Sequence, residues 1–363
     1  MGRPGRKGLH LGAVMGSRSG HAAGRAAGRA AGRAAAGLAA ALVGCTGPSD
    51  SGAPDASPVC TAVGPLDDSL TLADVQALGT HNSYHIEPET VLDSSHAYTQ
   101  PNLDRQADAG VRAFELDVHL GDDGAFHVFH LPGIDPESSC PTFAGCLEVL
   151  RTWSDAHPCH TPFTVWIEPK DDLDAAATGL QLLDGHMHEL DAAIDAVWPR
   201  SRRIQPEDVQ GGAASVSEGI AATGWPRLAD SRGKIVFALL DSGPHRDEYL
   251  QYATPVIFAD SDSQADPWAA AFKINDAPGE AVAVQALVSS NYLVTSNVDS
   301  VGDDDATRAA MFQASLEAGP NYLASNQVVP VEGSTYLAEL PGGSPRCHPA
   351  RVAAGCGPEE LEP

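Results

Sequence analysis

The sequence predicts an α/β fold, a (β/α)8 barrel in a single domain, on three observations. From Cys60 onward short apolar runs alternate with helical patterns, the signature of a mainly parallel sheet covered on its faces. About 300 residues hold some eight such units, the size of this barrel. Polar residues cluster just after the apolar runs, and the C-terminal ends of its strands are where such a barrel gathers chemistry.

The chain begins with 45 residues that carry seven Lys or Arg and no acid, followed within them by an Ala-rich run from Ala34 to Gly44. That layout reads as a secretory signal. The run is too short to span a bilayer, and it ends in Leu42-Val43-Gly44-Cys45, which resembles the lipobox of bacterial lipoproteins. Residues 1–45 are therefore expected to be a signal segment, with Cys45 lipidated. "TGPSDSGAPDASP" (46–58) has nothing to bury, so 46–60 reads as a flexible tether. The catalytic domain is expected over 61–356, with a tail at 357–363. An exported chain follows, either anchored to a bacterial membrane through the lipid, on the periplasmic side or the cell surface, or secreted, and acting as a monomer.

Removing the signal takes seven of the 22 basic residues and none of the 48 acids, leaving a net charge of −33. Such a surface repels nucleic acid and anionic membranes. A phosphate-bearing substrate then needs local positive charge, which a bound metal ion could supply. Six cysteines remain after Cys45, none in CxxC spacing. In an exported chain they read as three disulfides, with fifteen possible pairings. Proximity suggests Cys140 with Cys146 and Cys347 with Cys356.

In chain order, a helix is expected over 70–78, then strands over 111–118 ("VRAFELDV") and 126–130 ("FHVFH"), joined by a turn at "DDG" (122–124). A helix over 144–157 precedes the strand "FTVWIEP" (163–169), and another helix is expected over 173–197. "HMH" (186–188) lies in it with its histidines on different faces, a poor metal site. Strands at 234–241 and 255–260, a helix at 279–289 and a strand at 291–296 follow. Acids 303–305 cap a helix over 304–318, complementing its dipole, and "NYLASN" (321–326) closes the set.

The chemistry concentrates at one rim. His81 and Asn82 follow a first strand, Glu115 and Asp117 close the second, His130 ends a short strand, and Glu168 closes the next. Residues two apart on a strand share a face, so Glu115 pairs in direction with Asp117, and Glu168 with Lys170 if the strand persists through Pro169. Three converging carboxylates repel one another unless a cation joins them. With the Asn82 amide oxygen they make an all-oxygen set, which favours Ca2+ or Mg2+ over zinc or copper. Ca2+ is expected, because four protein ligands in a flexible geometry leave room for substrate and water. His81 and His130 flank the cluster as candidate general base and acid. Metal and imidazoles together suit displacement at phosphorus. His127 reads as structural, and His85 and His119 are left open.

"GTHNSYH", "FELDVH", "VFHLP" and "IEPKD", in this order, with the later "GWPRLADSRGKIVFALLD" and "LPGGSPRCHP", resemble the bacterial calcium-dependent phosphoinositide-specific phospholipase C family over residues 65 to 350. The resemblance implies a distorted TIM barrel, His81 and His130 as catalytic residues, Asn82, Glu115, Asp117 and Glu168 as calcium ligands, and Lys170 at the substrate phosphate. It implies attack of an inositol 2-hydroxyl on phosphorus, giving a cyclic inositol phosphate and diacylglycerol from phosphatidylinositol or a related phosphodiester. One departure bears on the head group: "YLVTSNVDS" carries Thr295 and Asn297 where the family pattern has arginines. Two alternatives remain: an enzyme similar to glycerophosphodiester phosphodiesterases, which usually begin with His-Arg where this chain has His81-Asn82, and a non-catalytic binding lipoprotein on the same barrel.

Overall fold

Apolar runs become parallel strands here because both of their faces are covered. The computed structural model describes residues 58–61, 64, 66–171, 179–252 and 254–363; residues 1–45, expected as a signal segment ending in Cys45, and most of 46–60, expected as a tether, lie outside them, as do residues 173–178 of the helix expected at 173–197. The strands are β1 (Val75–Thr80), β2 (Val111–Gly121), β3 (Phe126–Val128), β4 (Phe163–Pro169), β5 (Leu180–Gln181), β6 (Arg203–Ile204), β7 (Ile235–Leu239), β8 (Phe258–Ala259), β9 (Ala271–Lys273), β10 (Leu293–Asn297), β11 (Tyr322–Ser325) and β12 (Arg346–Cys347). Parallel neighbours run β7, β4, β2, β1, β11, β10, β9. β8 lies along the end of β7, and a single parallel bridge from Asp260 to Ala271 links it to β9. Among the described residues, these eight parallel strands thus curl into a distorted TIM barrel whose weakest seam is β8–β9, and the two-residue β6 pairs in parallel along the start of β7. The short β3 and β5 pair antiparallel with the long β2, and β12 with β1.

The two-residue period sorts each strand. On β2, Phe114, Leu116, Val118 and Leu120 join the core under the helices, so Ala113, Glu115 and Asp117 face the barrel interior. On β4, Phe163, Val165 and Ile167 face the helices, leaving Thr164, Trp166 and Glu168 inside. Thr164 Oγ1 donates to the Tyr322 hydroxyl at 2.9 Å. β4 and β11 are not neighbours, so this bond crosses the barrel and confirms the inward set. Gly79 narrows the same interior: a Cβ there would stand 3.2 Å from the Ala113 Cβ and 3.4 Å from the Ala324 Cα.

Several expected elements shift. Residues 70–78 are not a helix; only Leu72–Asp74 make a 3-10 turn, and Val75–Thr80 are all buried in β1. In "LTLADVQAL" (70–78) the apolar residues fit both a helical spacing and a period of two, and tertiary burial decided it. Helix 173–197 is reduced, within the described residues, to Glu189–Val197, with Leu180–Gln181 extended along β2. The 3-residue β9 and the helices Leu103–Asp108 and Val216–Ala222 were not anticipated. Helices Phe143–Ala156, Ala281–Ser289 and Asp305–Ala318 lie close to their expected spans, the last capped by Asp304, whose carboxylate accepts from the Ala306 and Thr307 amides.

Cys140–Cys146 and Cys347–Cys356 form as expected, and Cys60 pairs with Cys159. The last bridge closes a span of 99 residues and pins the domain's first described segment to the barrel. Replacing Cys60 and Cys159 by Ser is expected to cost about 2–4 kcal/mol through the freed unfolded chain, read from urea unfolding; an unchanged midpoint refutes that contribution.

Candidate active site

The inward carboxylates meet at the C-terminal rim because β2 and β4 pair in a register that sets Asp117 beside Glu168 and Glu115 beside Trp166. Oxygens of Glu115, Asp117 and Glu168 lie within 4.8 Å of one another. Asp117 is fully buried, and neither of its oxygens accepts a hydrogen bond, though Lys170 Nζ stands 3.2 Å from Oδ2 as an ion pair. Lys170 also pairs with Glu168 rather than with Asp171. Burial, reinforced by Glu168, pushes the Asp117 carboxyl well above the usual carboxylate range. Burial also works against Glu115, but Lys273 and His81 outweigh it and hold that carboxyl low. Lys273 Nζ donates to Glu115 Oε2 at 2.7 Å and to Asn297 Oδ1 at 2.8 Å.

His81 and Asn82 sit on a tight turn after β1. Ser83 anchors that turn on β2: its amide donates to the Glu115 carbonyl at 3.0 Å, and its Oγ accepts from the Glu115 amide at 2.8 Å. Asn82 is buried with φ 42°, a left-handed conformation that Asn tolerates better than most side chains. His81 Nδ1 lies 3.0 Å from Asn326 Oδ1. Asn326 Nδ2 donates to Asp299 Oδ1 at 2.8 Å, so its oxygen must be the atom facing His81, and His81 Nδ1 carries the proton. His81 Nε2 is left as the basic nitrogen, 3.7 Å from Glu115 Oε1.

His130 is fixed differently. Its Nδ1 donates to Asp135 Oδ2 at 2.8 Å, and Asp135 is fully buried. His85 Nε2 holds both Asp135 oxygens at 3.0 and 2.8 Å, while its Nδ1 faces the Tyr98 carbonyl at 3.0 Å. His85 is thereby assigned a positioning contact. Burial lowers the His130 imidazole from its ordinary value, against the opposing pull of Asp135.

A cavity of about 390 Å3 opens over this rim, lined by His81, Glu115, Glu168, Lys273, Asn297 and Asp260 among others. Burial pushes Asp260 up to about 6. The structure brings His81, Glu115, Asp117, Glu168 and Lys170 together, sets Asn82 in the adjoining buried turn, and places His130 on the Asp135 cluster. His127 turns outward to Asp123 at 3.2 Å, as expected of a structural residue, and His119 bonds the Phe129 carbonyl at 3.0 Å. Sequence reasoning missed Lys273, Asp299, Asn326 and Asp135. A lone lysine closing "WAAAF" (268–272) was the one visible signal; the other three become meaningful only through their partners.

The donor set suits a hard divalent cation. Asp117 offers two buried oxygens without hydrogen-bond donors beside two further carboxylates, and oxygen-only sets favour Ca2+, Mg2+ or Mn2+.

Residues 120–349 match the family described as phosphoinositide phospholipase C, Ca2+-dependent. His130, Glu168 and Lys170 lie inside that stretch, and His81, Asn82, Glu115 and Asp117 before it. An uncharacterised protein of Mycobacterium tuberculosis is 28% identical over 187 residues, covering 44% of this chain and 38% of that protein; the match thus spans about two fifths of that curated relative's length. Among solved structures, a Ca2+-dependent phosphatidylinositol-specific phospholipase C from Streptomyces antibioticus has a TM-score of 0.52 at 21% identity, covering 71% of this chain and 95% of its own. A calcium-dependent phosphoinositol-specific phospholipase C from Pseudomonas sp. gives 0.50 at 18%, covering 73% and 93%. These likenesses establish the shared barrel. The extent of the family match, more than half of the residues, makes the chain a member of the Ca2+-dependent phosphoinositide phospholipase C family.

Proposed function

We propose that the protein is a calcium-dependent, phospholipase C-type phosphodiesterase that cleaves phosphatidylinositol or a closely related phosphodiester. The observation that carries this reading is the buried carboxylate cluster with an anchored imidazole on each flank, His81 held by the Asn326 amide and His130 by the Asp135 carboxylate. Glu115, Asp117 and Glu168, with Asn82, are the residues to hold Ca2+. When bound, the ion supplies positive charge that favours ionisation of a substrate hydroxyl and meets charge developing on phosphoryl oxygens.

Charge balance supports a diester. Three carboxylates with Lys170 and Lys273 carry one net negative charge; a divalent ion turns it to one positive, which a singly charged phosphodiester neutralises. His81 Nε2 takes the proton of the inositol 2-hydroxyl as its oxygen bonds to phosphorus. Asn326 keeps the His81 tautomer that makes this possible. His130 Nε2–H gives its proton to the departing diacylglycerol oxygen as the phosphorus–oxygen bond breaks, and Asp135 stabilises the charged imidazole beforehand. Lys170 holds Asp117 and Glu168 in place and faces the phosphate. The products are a cyclic inositol phosphate and diacylglycerol. Attachment to a membrane through Cys45 belongs to the same proposal, since it would bring an acidic protein to a lipid substrate.

Incubating the purified chain with phosphatidylinositol vesicles, in Ca2+ or chelator, and following products by phosphorus NMR tests the reading. A cyclic phosphate that forms only with Ca2+ is the expected result. No chelator-sensitive product across a panel of phosphodiesters sinks it and favours a binding protein.

A further inference from the structure

The cluster behind His130 has the makings of a second metal site, chemically unlike the first. His96, His130 and Asp135 each offer a ligand atom, and these lie within 4.8 Å of one another. His96 is buried, and its Nδ1 has no hydrogen-bond partner. That nitrogen lies 3.8 Å from Asp135 Oδ2, too far for a hydrogen bond and a few tenths of an ångström beyond the roughly 3.3 Å between two atoms each about 2.0–2.1 Å from a shared tetrahedral Zn2+. The His96 and His130 rings meet edge to face with centroids 5.1 Å apart. His85 already holds the Asp135 carboxylate from behind, the outer support that metal-binding carboxylates usually have. Two imidazoles and one carboxylate with an open fourth position suit zinc and its neighbours, and are a poor match for Ca2+. His130 is 23% exposed at its side chain, which gives an ion a way in.

We propose that His96, His130 and Asp135 form an inhibitory site for a borderline divalent ion of the Zn2+ type, separate from the carboxylate cluster. The ion takes His130 Nδ1 in place of its proton, which is released to solvent, and Asp135 exchanges its hydrogen bond from His130 for a bond to the metal. His130 then holds only the Nε2 proton; giving it up would leave an imidazolate, so the residue no longer serves as an acid. The inhibitory consequence rests on the role given to His130 above, whereas the binding does not.

The test uses Co2+ as a spectroscopic stand-in, with saturating Ca2+ filling the oxygen site. One equivalent of Co2+ is expected to give the intense visible bands of a tetrahedral site of mixed nitrogen and oxygen ligands and to broaden the His96 and His130 ring resonances of the unsubstituted protein. His96→Gln should weaken the ion at least about 10-fold, since losing even an outer partner of a ligand costs that much. The same variant keeps its Ca2+-dependent turnover and resists Zn2+. A His186→Gln/His188→Gln variant, removing one half-buried and one exposed histidine, retains the bands. Absence of tetrahedral bands, broadening confined to other histidines, or bands lost in the His186/His188 variant overturns the proposal. Co2+ binding that depends on His96 in a protein without turnover would leave this site standing and defeat the functional reading instead.

Discussion

Substituting His130 by Ala is expected to lower turnover by about 10²- to 10⁴-fold, the range for loss of a positioned proton donor, while Ca2+ binding survives. The separation of the two effects follows from geometry. His130 is tied to Asp135 and its histidine neighbours, and it contributes no atom to the Glu115–Asp117–Glu168 cluster. Stopped assays with calorimetric Ca2+ titration would read both quantities on one preparation. Full turnover in the variant would remove His130 from the mechanism. The pH dependence carries an independent sign. Burial lowers the His130 imidazole from 6.5, so its acid form is present only below a value lower than the ordinary one. The alkaline limb of kcat/KM, which reports the free enzyme's acid, is therefore expected below pH 6.5 and not above it.

Asp117→Asn should produce the second large effect, and in two directions. In chelator the wild-type site keeps one carboxylate more than its lysines can balance, and the fully buried Asp117 oxygens accept no hydrogen bond. The folded-state carboxyl is raised above its unfolded value of 3.8, so at neutral pH its ionisation opposes folding, and that cost is relieved only as pH falls through the raised value toward 3.8. Removing the charge should therefore raise the chelator-state Tm. Ca2+ at 100 times its Kd stabilises the wild type by about 2.7 kcal/mol through mass action; the variant should gain almost none of this and lose the Ca2+-dependent activity. Equal Ca2+-induced Tm shifts in both proteins would take Asp117 out of the ligand set.

Much of this was legible in residue order. Period-two alternation in "FELDV" aimed Glu115 and Asp117 at one face, and six of the barrel's parallel strands (β2, β4, β7, β8, β10 and β11) overlap runs read as strands, whereas the run 126–130 became the antiparallel β3. β1 was misread because the apolar residues of "LTLADVQAL" (70–78) satisfy both helix and buried-strand spacings. β9 was missed because three residues carry no period at all.

Residue types and their spacing determined by themselves that several oxygen donors and two imidazoles would stand at one barrel rim, since strand alternation and the parallel α/β pattern are local properties of the chain. Only the tertiary structure decided which groups complete them: Asn326 and Asp299 setting the His81 tautomer, Asp135 gripping His130, Lys273 reaching Glu115 from a strand 158 positions away. Those contacts depend on register and loop closure between distant segments, where sequence spacing places no limit on which side chains meet.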